Sequence, residues 1–110
     1  VVGDRLDHGE LVPGFGHFVY PNADPRAAEL LEHIKLDPVM QATRLAVRKL
    51  AGLEPNVDFA LVAMERTHAL PEGAAMVFFA IARTVGWLAH VFEQRTEGNL
   101  IRPRAEFVLE

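Results

Sequence analysis

Apolar residues recur along this chain at intervals of three and four, in four blocks separated by breaker-rich stretches, and that spacing predicts helices. The first block, Ala27, Leu30, Leu31 and Ile34, follows Asp24-Pro25, a capping acceptor and a proline suited to the first helical position. A helix over about 25–35 is expected from this pattern. Asp37-Pro38 repeats the device ahead of Val39, Ala42, Ala46, Val47 and Leu50, and Gly52 stops that second helix. After a turn at Gly52 to Pro55, the residues Val57, Phe59, Leu61, Val62 and Met64 open a third, which should end near Leu70-Pro71. The fourth block, Glu72 to Glu97, is apolar on most faces from Ala74 to Phe92 and is stopped by Gly98. A helix apolar all round is expected to be buried. No convincing strand alternation occurs anywhere, so the fold class is all-α.

Between these blocks lie segments of a different kind. Residues 1–23 carry Gly3, Gly9, Pro13, Gly14, Gly16, Pro21 and Asn22, and read as a functional loop. Within it, Leu11-Val12-Pro13-Gly14-Phe15-Gly16-His17 sets a histidine where backbone can touch a ligand, because Gly14 and Gly16 tolerate positive φ and close approach. The tail Asn99-Leu100-Ile101-Arg102-Pro103-Arg104 is expected to be extended, since Pro103 disfavours helix at Arg102. Arg83 stands near the middle of the fourth helix, while Glu72, His90, Glu93 and Gln94 crowd its ends, so no membrane span is expected. A guanidinium in a buried apolar helix needs an anion.

Composition narrows the possibilities further. The chain has 110 residues, half of them hydrophobic, enough for an ordinary globular core. A net charge of −4 with scattered arginines argues against a nucleic-acid partner. Without cysteine there is no disulfide or thiolate site, which is compatible with a cytoplasmic location. The five histidines, His8, His17, His33, His68 and His90, form no closely spaced helical pair, so no metal site is expected. Because the chain opens Val1-Val2-Gly3 with neither an initiator Met nor a signal-peptide pattern, it reads as a piece of something longer.

Four segments, GFGHFVYPNADPRA, PNVDF, FAIARTVGWLAH and LIRPR, stand in an order that resembles the citrate synthase family, in particular its bacterial citrate and 2-methylcitrate synthases. The likeness covers nearly the whole chain and corresponds to the C-terminal part of such an enzyme. It implies that residues 1–69 belong to a small domain and 70–110 to a helix and tail that return to the large domain. By the same resemblance, His17 protonates the 2-oxo acid carbonyl as its carbon is attacked and helps hold the substrate. Asp58 removes a proton from the methyl group of acetyl-CoA. Arg26, Arg83 and Arg102 bind substrate carboxylates, Arg102 reaching into a neighbouring subunit. The backbone of Leu11, Val12, Pro13, Gly14, Phe15 and Gly16 cradles coenzyme A. A further histidine that stabilises the enolate belongs to a motif upstream of this loop.

Each residue also has a plainer reading. His17 can be a loop histidine bonded to its surroundings, and Asp58 a cap of the third helix. Arg26 can be a surface arginine, Arg83 half of a structural ion pair, and Arg102 a solvated tail residue. Two functions therefore stand side by side. One is condensation of acetyl-CoA or propionyl-CoA, as co-substrate, with oxaloacetate, or the reverse cleavage of a citryl thioester. The other is a non-catalytic module that retains a CoA or dicarboxylate surface or serves association. Under either, the apolar fourth helix calls for a homodimer or a partner chain.

Overall fold

The computed structural model describes Gly3 and residues 11–98. Within residues 11–98 four helices are formed, α1 Pro25–Glu32, α2 Pro38–Ala51, α3 Val57–Thr67 and α4 Ala74–Glu97. Among the described residues the only β pairing is an isolated antiparallel bridge between Phe15 and Pro55, and the fold is all-α as expected. Internal packing divides the chain into two compact units, Val1–Phe79 and Ala80–Glu110.

The helix starts follow from local chemistry. Free N–H groups in a first turn need acceptors. Asp24 Oδ1 accepts from the Arg26 N–H at 3.0 Å, and Asp37 Oδ1 from that of Met40 at 2.8 Å. Asn56 Oδ1 accepts from Asp58 and Phe59 at 3.0 and 3.4 Å. Prolines open α1 and α2, where a missing N–H goes unnoticed. The fourth start is capped from a distance, the Ala75 N–H donating to Glu65 Oε2 at 2.8 Å. Helix α4 thus begins at Ala74, after a turn through Gly73, rather than at Glu72.

The ends are less regular. Helix α2 closes on Gly52 in the left-handed conformation, as its sequence predicts. Helix α1 ends at Glu32, short of residue 35, because Ile34 and Leu36 turn into the core and Asp37 must be extended to cap α2. Helix α3 ends at Thr67, not near Leu70. Leu70 N–H bonds back to Glu65 O at 2.9 Å and Ala69 N–H to Arg66 O at 3.2 Å, the pair of bonds of a Schellman motif. Its left-handed position is held by Ala69, with φ 48°, where glycine is usual. Ala69→Gly should relieve this strain and stabilise the chain by about 1 kcal/mol, read as a higher thermal midpoint. A lowered midpoint would mean that the motif does not persist in solution.

Val12, Phe15, Met40, Val47, Phe59 and Ala63 form the core, and Leu31, Ile34, Leu36, Ala51 and Leu53 pack against it. The loop before α1 thus supplies two core residues, and the Phe15 and Phe59 rings meet at 5.0 Å between centroids. Helix α1 packs on α3. The C-terminal end of α3 is tied to the α1–α2 connection by Arg66 Nε to Asp37 Oδ2 at 2.7 Å and by Thr67 Oγ1 to Lys35 O at 3.1 Å. The Met40 N–H, and then Arg66, hold the Asp37 carboxyl below the usual carboxylate range.

Helix α4 departs from its expected burial, since none of its residues is buried. Met76, Ile81, Val85, Trp87, Leu88 and Phe92 all lie exposed. An apolar pattern states how much cover a helix needs, and the described residues do not supply that cover. Length and hydropathy alone would also let α4 cross a bilayer, a property it shares with core helices of soluble proteins.

Candidate active site

The glycine-rich loop is locked against the segment preceding α3. Gly16 N–H donates to Glu54 O and Asn56 N–H to Gly14 O, both at 2.9 Å, so that Phe15 and Pro55 face each other in the antiparallel bridge. Asn56 Nδ2 adds a bond to Gly16 O at 3.0 Å. Gly14 and Gly16 have φ of 83° and 71°, and a Cβ on Gly14 would stand 3.3 Å from Phe59 Cβ. Only glycine combines that backbone with that approach. With Val12 and Phe15 buried, the loop is anchored on both its bonds and its side chains.

This locking brings two chemistry-bearing segments together. His17 follows the glycine whose carbonyl Asn56 binds, and Asp58 lies two residues beyond Asn56. The half-buried His17 ring accepts the Val19 N–H on Nδ1 at 3.2 Å, which in the neutral imidazole assigns the proton to Nε2. Phe18 stacks on the ring at 5.2 Å and Tyr20 lies tilted at 5.1 Å. His17 can therefore donate through Nε2 from a fixed ring.

Asp58 sits in the first turn of α3 but does not cap it. Asn56 takes that role, and Asp58 adds a favourable charge to the first turn. Its carboxylate is exposed and lines an open cavity of about 390 Å³ with Leu61, Val62, Ala75, Met76 and Phe79.

Arg26 is gripped by Asp24. Nε donates to Oδ1 at 2.9 Å and Nη2 to Oδ2 at 2.8 Å, while Oδ2 also accepts the Val57 N–H at 3.0 Å. Asp24 is only 3% exposed, yet with the Arg26 N–H it receives four hydrogen bonds. The Arg26 side-chain bond, and after it the N–H groups of Arg26 and Val57, hold its carboxyl below the usual range against the opposing effect of burial. The arginine is pushed upward, first by Asp24 and in smaller part by the charge of Asp58. Its guanidinium also lies 5.4 Å from the centre of the Tyr20 ring.

The family model for the citrate synthase C-terminal domain matches residues 1–104. The chain belongs to the citrate synthase family. It is 39% identical to a citrate synthase of Haloferax volcanii, over 99% of this chain and 31% of that protein. It is 34% identical to citrate synthase 2 of Bacillus subtilis, over 94% of this chain and 30% of that protein. A 2-methylcitrate synthase 2 of Corynebacterium glutamicum is 30% identical over 96% of this chain and 30% of its own length. The chain thus spans about three-tenths of the length of the curated relatives it matches.

Arg83 is exposed on α4 and has no anionic partner among the described residues. The Arg83 side chain lies beside Gly86, where an added Cβ would stand 2.5 Å from Nη1. Arg102 and the LIRPR segment lie outside the described residues. Within residues 11–16 the Val12 and Phe15 side chains are buried in the core, while Leu11 and Pro13 are exposed. Glu54 beside it is paired with Arg48 at 3.1 Å and Arg44 at 4.0 Å. Two organising residues were missed, Asp24 as more than a cap and Asn56 altogether. Their positions before a helix signalled capping, but their partners 33 and 40 residues away left no local trace.

Proposed function

We propose that this chain supplies the aspartate and the protonating histidine of a citrate synthase-type acyltransferase. The observation that supports the reading is the bonded pairing of the GFGH loop with the PNVD segment, which ties the residue before His17 to Asn56, two residues before Asp58. Asp58 takes a proton from the methyl or methylene carbon next to the thioester of acetyl-CoA or propionyl-CoA. The resulting enol or enolate carbon forms a bond to the carbonyl carbon of oxaloacetate, and Nε2–H of His17 protonates the oxygen. Water then cleaves the thioester, releasing coenzyme A. Arg26 and Arg83, with Arg102 reaching in from a neighbouring subunit, hold the carboxylates, and the backbone of residues 11–16 holds coenzyme A. Under this reading the enzyme works in the cytoplasm on soluble substrates. A donor to the enolate oxygen and cover for α4 come from the portion of its relatives' length that this chain does not span, or from a partner subunit.

A non-catalytic dicarboxylate- or CoA-binding module is favoured by one observation, the exposure of both Asp58 and α4. The two readings separate by experiment. A polypeptide joining this chain to the rest of a citrate synthase sequence is assayed for thiol release from acetyl-CoA with oxaloacetate. Release that depends on oxaloacetate is expected there, and none from the 110-residue chain alone. Failure of the joined protein, while calorimetry still shows saturable oxaloacetate binding, would leave the module. Condensation by the isolated chain would overturn the need for a second portion.

A further inference from the structure

We infer that Asp24 is a positioning residue that sets which edge of Arg26 meets a substrate carboxylate and ties that edge to the start of the helix bearing Asp58. The inference rests on the acyltransferase reading and deepens it. A guanidinium offers five N–H donors in one plane. Asp24 takes the Nε hydrogen and one from Nη2, bidentately, so the side edge of Arg26 is closed to any ligand. What remains is the end edge, both hydrogens of Nη1 and the second of Nη2, and the Arg26 side chain is 45% exposed. A carboxylate can dock there in a fork-to-fork manner without displacing Asp24.

The same carboxylate holds a second structure in place. Its Oδ2 accepts from Nη2 of Arg26 and from the N–H of Val57, the residue immediately before Asp58. Movement of Asp24 therefore moves the arginine plane and the first turn of α3 together. Tyr20, with its ring 5.1 Å from His17 and 5.4 Å from the Arg26 guanidinium, bounds the arginine on the histidine side. Asp24 touches no reacting atom in this scheme. Its effect passes through Arg26 and Val57.

The test uses the complete, active enzyme and compares oxaloacetate with 2-oxobutanoate, which lacks the distal carboxylate. Asp24→Asn keeps the shape and one acceptor oxygen but loses the charge and the double grip. The KM for oxaloacetate should rise ten- to a hundred-fold, approaching that of Arg26→Ala, while the KM for acetyl-CoA changes less than three-fold. Preference for oxaloacetate over 2-oxobutanoate should shrink by the same factor, and Asp24→Asn with Arg26→Ala should be no worse than Arg26→Ala alone. A merely structural role would instead lower the active fraction with KM and preference unchanged, or give effects that add, and either result overturns the inference. If Asp24→Asn does not fold, Asp24→Glu carries the same comparison, since it keeps the charge but moves the carboxylate by one methylene. Should Arg26→Ala itself leave KM and preference unchanged in an active enzyme, the assignment of Arg26 fails and the inference with it. Absence of condensation by the unaltered enzyme would instead overturn the acyltransferase reading.

Discussion

Asp58→Ala in the complete enzyme should lower turnover by about three orders of magnitude while substrate affinity stays within a few-fold and the fold survives. The expectation depends on the division of labour at the start of α3. Asn56, not Asp58, accepts the first-turn N–H groups, so removal of the Asp58 carboxylate leaves the cap in place. What is lost for stability is a favourable charge near a helix N-terminus, about 0.5 kcal/mol at an exposed position. What is lost for chemistry is the only group proposed to take the carbon-bound proton. Turnover is followed by thiol release, affinity by calorimetry and stability by urea unfolding. If turnover, affinity and stability fell together, Asp58 would be a structural residue and the acyltransferase reading would lose its base.

Asp24→Ala should be the most destabilising single truncation of a polar side chain in the described region, by about 3 kcal/mol, against a typical domain stability of roughly 5–15 kcal/mol. A cap is worth about 1 kcal/mol. The remainder comes mainly from leaving the Val57 N–H without its acceptor, roughly 1–3 kcal/mol, and in smaller part from the loss of the pair with Arg26, which at 45% side-chain exposure is worth at most about 1 kcal/mol. The effect also has a pH signature. Because the folded-state carboxyl lies below its ordinary value of 3.8, protonation is harder in the folded chain than in the unfolded one. Its contribution is complete above the unfolded value and is lost as pH falls below about 4 through the lower folded value. Urea unfolding from pH 7 downward should show the unaltered protein losing more stability than Asp24→Ala, so that the two curves converge in acid. A residual slope should persist in the variant, since Asp37 is shifted in the same direction by Met40 and Arg66. A constant gap between the curves would show that Asp24 does not act through its charge.

Much of the local architecture was legible. Asp24-Pro25, Asp37-Pro38 and Gly52 mark helix ends with groups whose effect reaches only the next turn, and all three act as their chemistry predicts. The end of α3 was not legible, because the left-handed residue is Ala69 and alanine carries no stop signal. The meeting of the two motifs was expected from the family resemblance, but its means was not. Nothing in GFGH or PNVD announces that Gly14 and Gly16 pair their backbone with Asn56 and Glu54 across some forty residues.

By itself the sequence determined the helical class, the places where helices begin, the position of a glycine-permissive turn before His17 and the family to which the chain belongs, since each depends on spacing or on residue type within a few positions. Tertiary structure alone decided that Asp24 serves two helices and an arginine at once, that Asn56 rather than Asp58 caps α3, and that no α4 residue is buried by the described residues. Hydrogen-bond acceptors and apolar faces state in sequence only what they require. Which partner meets the requirement is settled by what folding brings within about 3 Å, and a one-dimensional pattern does not contain that distance.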